Sequence, residues 1–244
     1  MLALGLMLAT ASVPHVAAKT NFNLVGKQML IMLRNSHYER LNIDDLGVRF
    51  FDTYIKSLDG NKQYFLASDI DMFRAKYGTN LHELLLAEQC MTPAEEIYNL
   101  YRERANDRIK YAQELLKDDS SFTFESDREV ILDREKAEWP VSDEEAKQIW
   151  KDQVEQALLS EFLRRESVAD LAAKQGKADP LKDKKLPGEM ISLRYERILK
   201  SINSADEEDI ADRFFSAIAK SYDPHTDYFS MSEMERFMAG MKNS

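Results

Sequence analysis

Thr92-Pro93-Ala94-Glu95-Glu96-Ile97-Tyr98-Asn99-Leu100-Tyr101, continuing to about Leu116, is the stretch whose reading decides the fold class. Thr92 is predicted as an N-cap, Pro93 as the first helical residue and Glu95 as the acid that closes a capping box. Beyond them Ile97, Leu100, Tyr101, Ala105, Ile109, Ala112, Leu115 and Leu116 recur close to every 3.6 residues. That period marks an amphipathic helix with one buried stripe.

Toward the N-terminus the same period repeats. Leu24, Val25, Met29, Ile31, Met32 and Leu33 predict a helix that breaks near Asn35-Ser36-His37-Tyr38. Asn42 is read as the cap of the next helix, with Asp44 and Asp45 favouring its dipole. That helix presents Leu46, Phe50, Phe51, Tyr54, Ile55 and Leu58, and Gly60 is expected to end it in the left-handed conformation. Tyr64-Phe65-Leu66 forms an apolar link. Ser68 is expected to cap a third helix that buries Ile70, Phe73 and Tyr77 and stops at Gly78. Leu81 to Leu86 reads as a short helix or turn.

Toward the C-terminus, residues 118–141 break the pattern. Phe122, Phe124, Val130, Ile131, Leu132 and Trp139 are apolar without a clean period, so this is one long loop tied down by two Phe and a Trp. Ser142 to Glu145 opens a capped helix expected to bury Ile149, Trp150, Val154, Ala157, Leu158 and Phe162. Residues 174–188, rich in Lys with Pro180, Pro187, Gly176 and Gly188, read as a solvated, mobile linker. Helical spacing returns at Ile191, Tyr195, Ile198, Leu199 and Ile202. Ser204 with Glu207 is read as another capping box, and Asp206-Glu207-Glu208-Asp209 as first-turn acids. Ile210, Phe214, Phe215, Ile218 and Ala219 mark a further helix, and Ser230 with Glu233 opens the last one.

Eight Gly and six Pro in 244 residues are too few for a sandwich or barrel, and no convincing strand run appears. The fold class is therefore all-α, with a helical-repeat arrangement as the competitor. A net charge of -10 with no basic stripe argues against nucleic acid as a partner. Cys90 is the single cysteine; it cannot form an internal disulfide and reads as a small core residue. The short apolar run Leu2 to Ala11, followed by small residues at Val16 and Ala18, resembles a signal-peptidase substrate. No Lys or Arg precedes that run, so residues 1–18 read as an incomplete signal peptide and 19–244 as one helical domain. The mature chain is then expected to be exported, and soluble or at most peripheral to a membrane.

One turn concentrates unusual residues: Ser221-Tyr222-Asp223-Pro224-His225-Thr226-Asp227-Tyr228-Phe229-Ser230. Asp223, His225 and Asp227 could polarise an imidazole or ligate a metal. The structural alternative is a corner between two helices, opened by Asp223-Pro224, in which His225 and Thr226 satisfy exposed backbone groups. His37-Tyr38-Glu39 and His82-Glu83 are weaker candidates. No HExxH, GxSxG, GxGxxG or Walker loop occurs, so no catalytic, cofactor or metal residue is assigned. Met231, Met234, Met238 and Met241 share one side of the last helix, an adaptable packing surface.

These pieces together resemble a known family. Tyr222-Asp223-Pro224-His225-Thr226-Asp227-Tyr228-Phe229-Ser230 resembles the segment before the PDZ domain in tail-specific proteases, also called C-terminal processing peptidases. Ser36-His37-Tyr38, Phe51-Asp52-Thr53-Tyr54 with Leu58-Asp59, and Leu66-Ala67-Ser68-Asp69 with Phe73 resemble its earlier blocks. So does Leu132-Asp133-Arg134-Glu135-Lys136-Ala137-Glu138-Trp139-Pro140, followed by Trp150. The ordered set covers about Ser36 to Ser244.

The resemblance implies a helical N-terminal domain of an exported, periplasmic peptidase whose PDZ domain and Ser/Lys dyad lie C-terminal to these motifs. Its implied partners are those downstream domains, protein substrates and an adaptor protein. None of the 244 residues then inherits a catalytic role, and the chain alone is expected to be inactive. Asp223, Pro224, His225, Thr226 and Tyr228 become a structural or interdomain motif, and Asp133, Arg134, Trp139 and Pro140 become loop anchors. The rival is a free-standing helical adaptor that binds a partner protein through its Met-rich last helix.

Overall fold

The computed structural model describes residues 19–37, 41, 46–125 and 129–242. It is all-α: the described residues form nine α-helices and no strand. In order the helices are α1 (Phe22–Ser36), α2 (Leu46–Leu58), α3 (Ala67–Tyr77), α4 (Leu81–Leu86), α5 (Met91–Leu115), α6 (Asp143–Lys174), α7 (Pro187–Ser204), α8 (Glu207–Tyr222) and α9 (Met231–Lys242). A 3-10 segment, Leu116–Ser121, follows α5. The signal-peptide reading of 1–18 and the proposed cap Asn42 with Asp44 and Asp45 lie outside the described residues.

The 25-residue α5 is the central rod. It contacts α6, α7 and α8, while α2 packs on α8 and α4, and α1 on α4 and α8. One continuous core results. Phe50, Phe51, Tyr54, Ile97, Tyr98, Ala105, Ile109, Trp150, Val154, Phe214 and Phe215 are all in it. The predicted apolar stripes of α2, α5 and α8 are therefore the buried faces. Phe162 and Ile198, expected inside, are instead 40% and 37% exposed. Phe162 still meets Phe124 edge-on at 5.7 Å, so it holds the long loop rather than the core. Cys90 is buried, and burial pushes its thiol up to about 12, as suits a core residue. Gly47 allows close approach of α2 to the turn before α4, since a Cβ there would sit 2.2 Å from the Thr79 carbonyl oxygen.

Several helix starts differ from their predicted caps, each for a physical reason. Helix α5 begins at Met91 with Cys90 as N-cap, not at Thr92, because the Met91 N–H is taken by Asn23 Oδ1 of α1 at 2.9 Å. Pro93 still sits in the first turn, where its missing N–H is harmless. Helix α3 starts after Leu66, not Ser68, since the Asp69 carboxylate reaches back to the Leu66 N–H at 2.9 Å. Before α8 the capping box is Asp206 with Asp209, each accepting the other's N–H, because α7 runs on through Ser204. Ser142 caps α6 and Gly78 ends α3 as expected.

Gly60 is not left-handed; Lys62 is, at φ 49°. The cause is Asp59, which ends α2 and is 2% exposed. Its carboxylate accepts N–H bonds from Gln63 at 2.8 Å, Tyr64 at 3.1 Å and Phe65 at 3.0 Å, and from the Trp139 indole at 3.2 Å. Burial pushes its pKa up; the four donors, three backbone and one indole, oppose that.

The same link anchors the long loop. Ala67 N–H donates to the Pro140 carbonyl at 2.9 Å, and Lys62 donates to the Ala137 carbonyl at 2.6 Å while lying over the Trp139 ring. Asp133 and Arg134 bond within the loop, to the Glu135 N–H and the Glu138 carbonyl.

Removing the Asp59 carboxylate leaves buried N–H groups unpaired, at about 1–3 kcal/mol for each group that water does not reach. Asp59→Ala is therefore expected to lower unfolding free energy by about 3 kcal/mol or more. Trp139→Phe, which loses one bond to a charged group, should cost about 1.5–3 kcal/mol. Urea denaturation of the three proteins checks the ranking.

Candidate functional site at the turn between α8 and α9

The turn after α8 is built around Asp223. Its N–H closes the helix on the Ala219 carbonyl, and its own carbonyl accepts the Thr226 N–H at 2.9 Å. One carboxylate oxygen accepts the His225 N–H at 3.3 Å; the other accepts the Thr226 hydroxyl at 3.0 Å. This is an Asx turn extended by a threonine, the local chemistry that Asp and Thr offer a chain leaving a helix.

The third partner comes from the far end of the sequence. His37, the C-cap of α1, places Nε2 3.2 Å from Thr226 Oγ1 and 3.5 Å from Asp223 Oδ2. Thr226 spends its hydroxyl hydrogen on Asp223, so the imidazole is the donor to the threonine oxygen and carries its proton on Nε2. The His37 ring also stands edge-on to Tyr222 at 5.0 Å. Burial alone would raise the Asp223 pKa, but the His225 N–H, the Thr226 hydroxyl and His37 together hold it below the usual carboxylate range.

The structure thus joins two candidates that lay 189 residues apart, His37 and the Asp223-Thr226 turn. It separates others. Pro224 and His225 point outward, exposed, and Asp227 pairs with Lys220 at 3.0 Å. Tyr228 is half-buried against Phe215, and its carbonyl accepts the Ser216 hydroxyl. His82 is buried in α4, away from this turn in the chain. Tyr38 and Glu39 lie outside the described residues. Among the described residues no group of three or more His, Cys, Asp or Glu side chains converges as a metal site, and no helix is long and apolar enough to cross a membrane.

Sequence reasoning passed over Asp212. It lines a cleft of about 580 Å³ between α2, α8 and α9, together with Lys56, Arg213, Lys220, Glu233 and Arg236. Burial pushes its carboxyl up to about 6; the Ser230 hydroxyl pulls it down, and Glu233, Glu208 and Asp209 add to the rise. Its Oδ1 is buried with no hydrogen-bond partner. The only signal in the sequence was its place on the polar edge of an otherwise apolar helix.

Because the folded-state pKa of Asp212 lies above its unfolded value, the unfolded chain binds fewer protons between about pH 4 and 6. Its contribution to stability is therefore present at low pH and lost as pH rises through about 6. Asp212→Asn is expected to raise the melting temperature at pH 8 and to change it little at pH 4. Thermal melts of both proteins across that range check the sign.

The Tail specific protease N-terminal domain family matches residues 29–232, a span that includes every motif block named above. The Tail-specific protease of Haemophilus influenzae (strain ATCC 51907 / DSM 11121 / KW20 / Rd) is 30% identical over 227 residues. That alignment covers 93% of this chain and 30% of the relative, so the chain spans less than a third of that protein's length. This chain belongs to the tail-specific protease N-terminal domain family.

Proposed function

We propose that this domain is the non-catalytic helical scaffold of an exported serine-type peptidase that degrades proteins from or near their C-termini. The observation that carries the reading is the match to an N-terminal domain family in a chain that spans 30% of a relative named as a protease. The domain's role is to form part of the body that receives polypeptide and to set the position of the domains that follow. Export to the periplasm rests on the apolar, small-residue pattern of residues 1–18.

Within this reading the motif after α8 divides into two halves. Asp223, Thr226 and Tyr228 hold the turn against α1 and α8, through His37 and Phe215. Pro224 and His225, both exposed, aim the outgoing chain. Helix α9 then offers an apolar face for the next domain: Met231, Met234, Phe237, Met238 and Met241 are 78%, 42%, 53%, 46% and 54% exposed. A contiguous patch of this kind marks an interaction surface. The same patch is what a free-standing adaptor would use. An open reading frame running past Ser244 into a PDZ domain and a Ser/Lys core favours the scaffold; a stop codon there favours the adaptor.

The purified 244-residue chain is expected to leave an unstructured protein substrate intact. Cleavage by this chain, abolished by a substitution inside it, would overturn the scaffold reading. Electrophoresis of the substrate over several hours decides it.

A further inference from the structure

The Lys-rich connection between α6 and α7 is a built turn rather than a slack tether. Leu181 N–H donates to Asp179 Oδ1 at 2.8 Å, and Lys184 N–H to the Leu181 carbonyl at 3.1 Å. From α6, Arg165 donates to the Lys185 carbonyl and lies 3.2 Å from the Met190 sulfur. The connection is thereby folded back over α7. It closes a cleft of about 510 Å³, a size within the roughly 300–1,000 Å³ of ligand-binding clefts.

The cleft has an apolar floor of Leu181, Met190 and Leu193 and a rim of Arg164, Lys184, Lys185 and Arg197. Four cations around apolar surface run against the composition of a chain whose net charge is -10. Lys184, Lys185 and Arg197 form no ion pair among the described residues. Arg164 is engaged with Glu161, which Arg165 shares and which that pairing, led by Arg164, holds down at about 2. Glu161 is thus already engaged, while Arg197 donates its Nε–H to the Leu193 carbonyl at 3.1 Å and, like Lys184 and Lys185, has no carboxylate within ion-pair distance among the described residues.

We propose that this cleft binds a short extended polypeptide segment carrying apolar side chains between carboxylates. The floor takes the apolar side chains, and the rim cations meet the acids on either side. A membrane surface fits less well, because the surrounding domain is acidic and an anionic bilayer repels it. The inference rests on reading the domain as a receiver of polypeptide, but it concerns binding and not cleavage.

The test is fluorescence anisotropy with the whole 244-residue chain. The probe is a fluorescein-labelled ten-residue peptide alternating Leu or Phe with Asp or Glu. The control peptide carries Asn and Gln at the acidic positions. Saturable binding is expected at 50 mM NaCl, weakened at least tenfold at 300 mM NaCl, in the control peptide, and in the Lys184→Glu/Lys185→Glu variant. Leu193→Asp, at a half-exposed position, should weaken it similarly with helicity retained by circular dichroism.

No saturable binding by the unmodified chain overturns the proposal. So does unchanged affinity in both variants, or retention on phosphatidylglycerol vesicles without peptide binding. A failure here leaves the scaffold reading standing, while peptide cleavage by the chain would remove that reading without touching the cleft.

Discussion

One buried carboxylate sets the frame. Asp59 follows directly on α2, and it accepts three consecutive backbone N–H groups together with the Trp139 indole. An ionised carboxylate deprived of such donors would be too costly to bury, so the link Gln63 to Phe65 has little freedom. That link carries Tyr64 and Phe65 into the core. Tyr64 meets Tyr101 of α5 at 5.2 Å and Trp150 of α6 at 5.4 Å, both by ring contact. The Trp150 indole in turn donates to the Gln63 carbonyl at 2.9 Å. Two tryptophans, Trp139 at the end of the long loop and Trp150 in α6, thus hold the same short segment, one through a charge and one through a carbonyl.

Charges placed along α5 extend this frame. Arg104 grips Asp69 of α3 with two bonds of 2.8 Å, and the same Asp69 caps its own helix at Leu66. One turn further on, Arg108, only 3% exposed, reaches Asp143 in the first turn of α6 at 2.7 Å. Pairs of this kind contribute less net stability than their Coulomb attraction implies, because each charge loses water. Their effect is positional. They fix where α3 and α6 sit along a rod whose apolar stripe alone would tolerate sliding.

The apolar stripes were legible because helical period is a local property. Leu46, Phe50, Phe51, Tyr54, Ile55 and Leu58 needed only their own spacing to be placed inside, and the structure buries them all. Helix starts were less legible because their donors are satisfied from elsewhere: Asn23 of α1 caps Met91 of α5, a contact that no local box announces. Gly60 misled for a similar reason, since the turn after α2 is dictated by where Asp59 collects its donors and not by backbone freedom. At the candidate site the sequence drew attention to His225, the histidine beside the aspartates. The histidine whose ring meets Asp223 and Thr226 is His37, and only folding brings it there; His225 contributes its backbone N–H.

The His37 contact gives the domain a particular response to load. A chain pulled beyond Ser230 would first strain the Tyr228 contacts to Phe215 and Ser216 and then the Asp223 turn. Because Asp223 and Thr226 are bonded to His37, that tension passes at once into α1 as well as α8. The two helices also lie against each other, so the contact joins elements that are already packed. The turn that ends α8 is thus tied to two elements far apart in the sequence, α8 through its own C-terminus and α1 through His37.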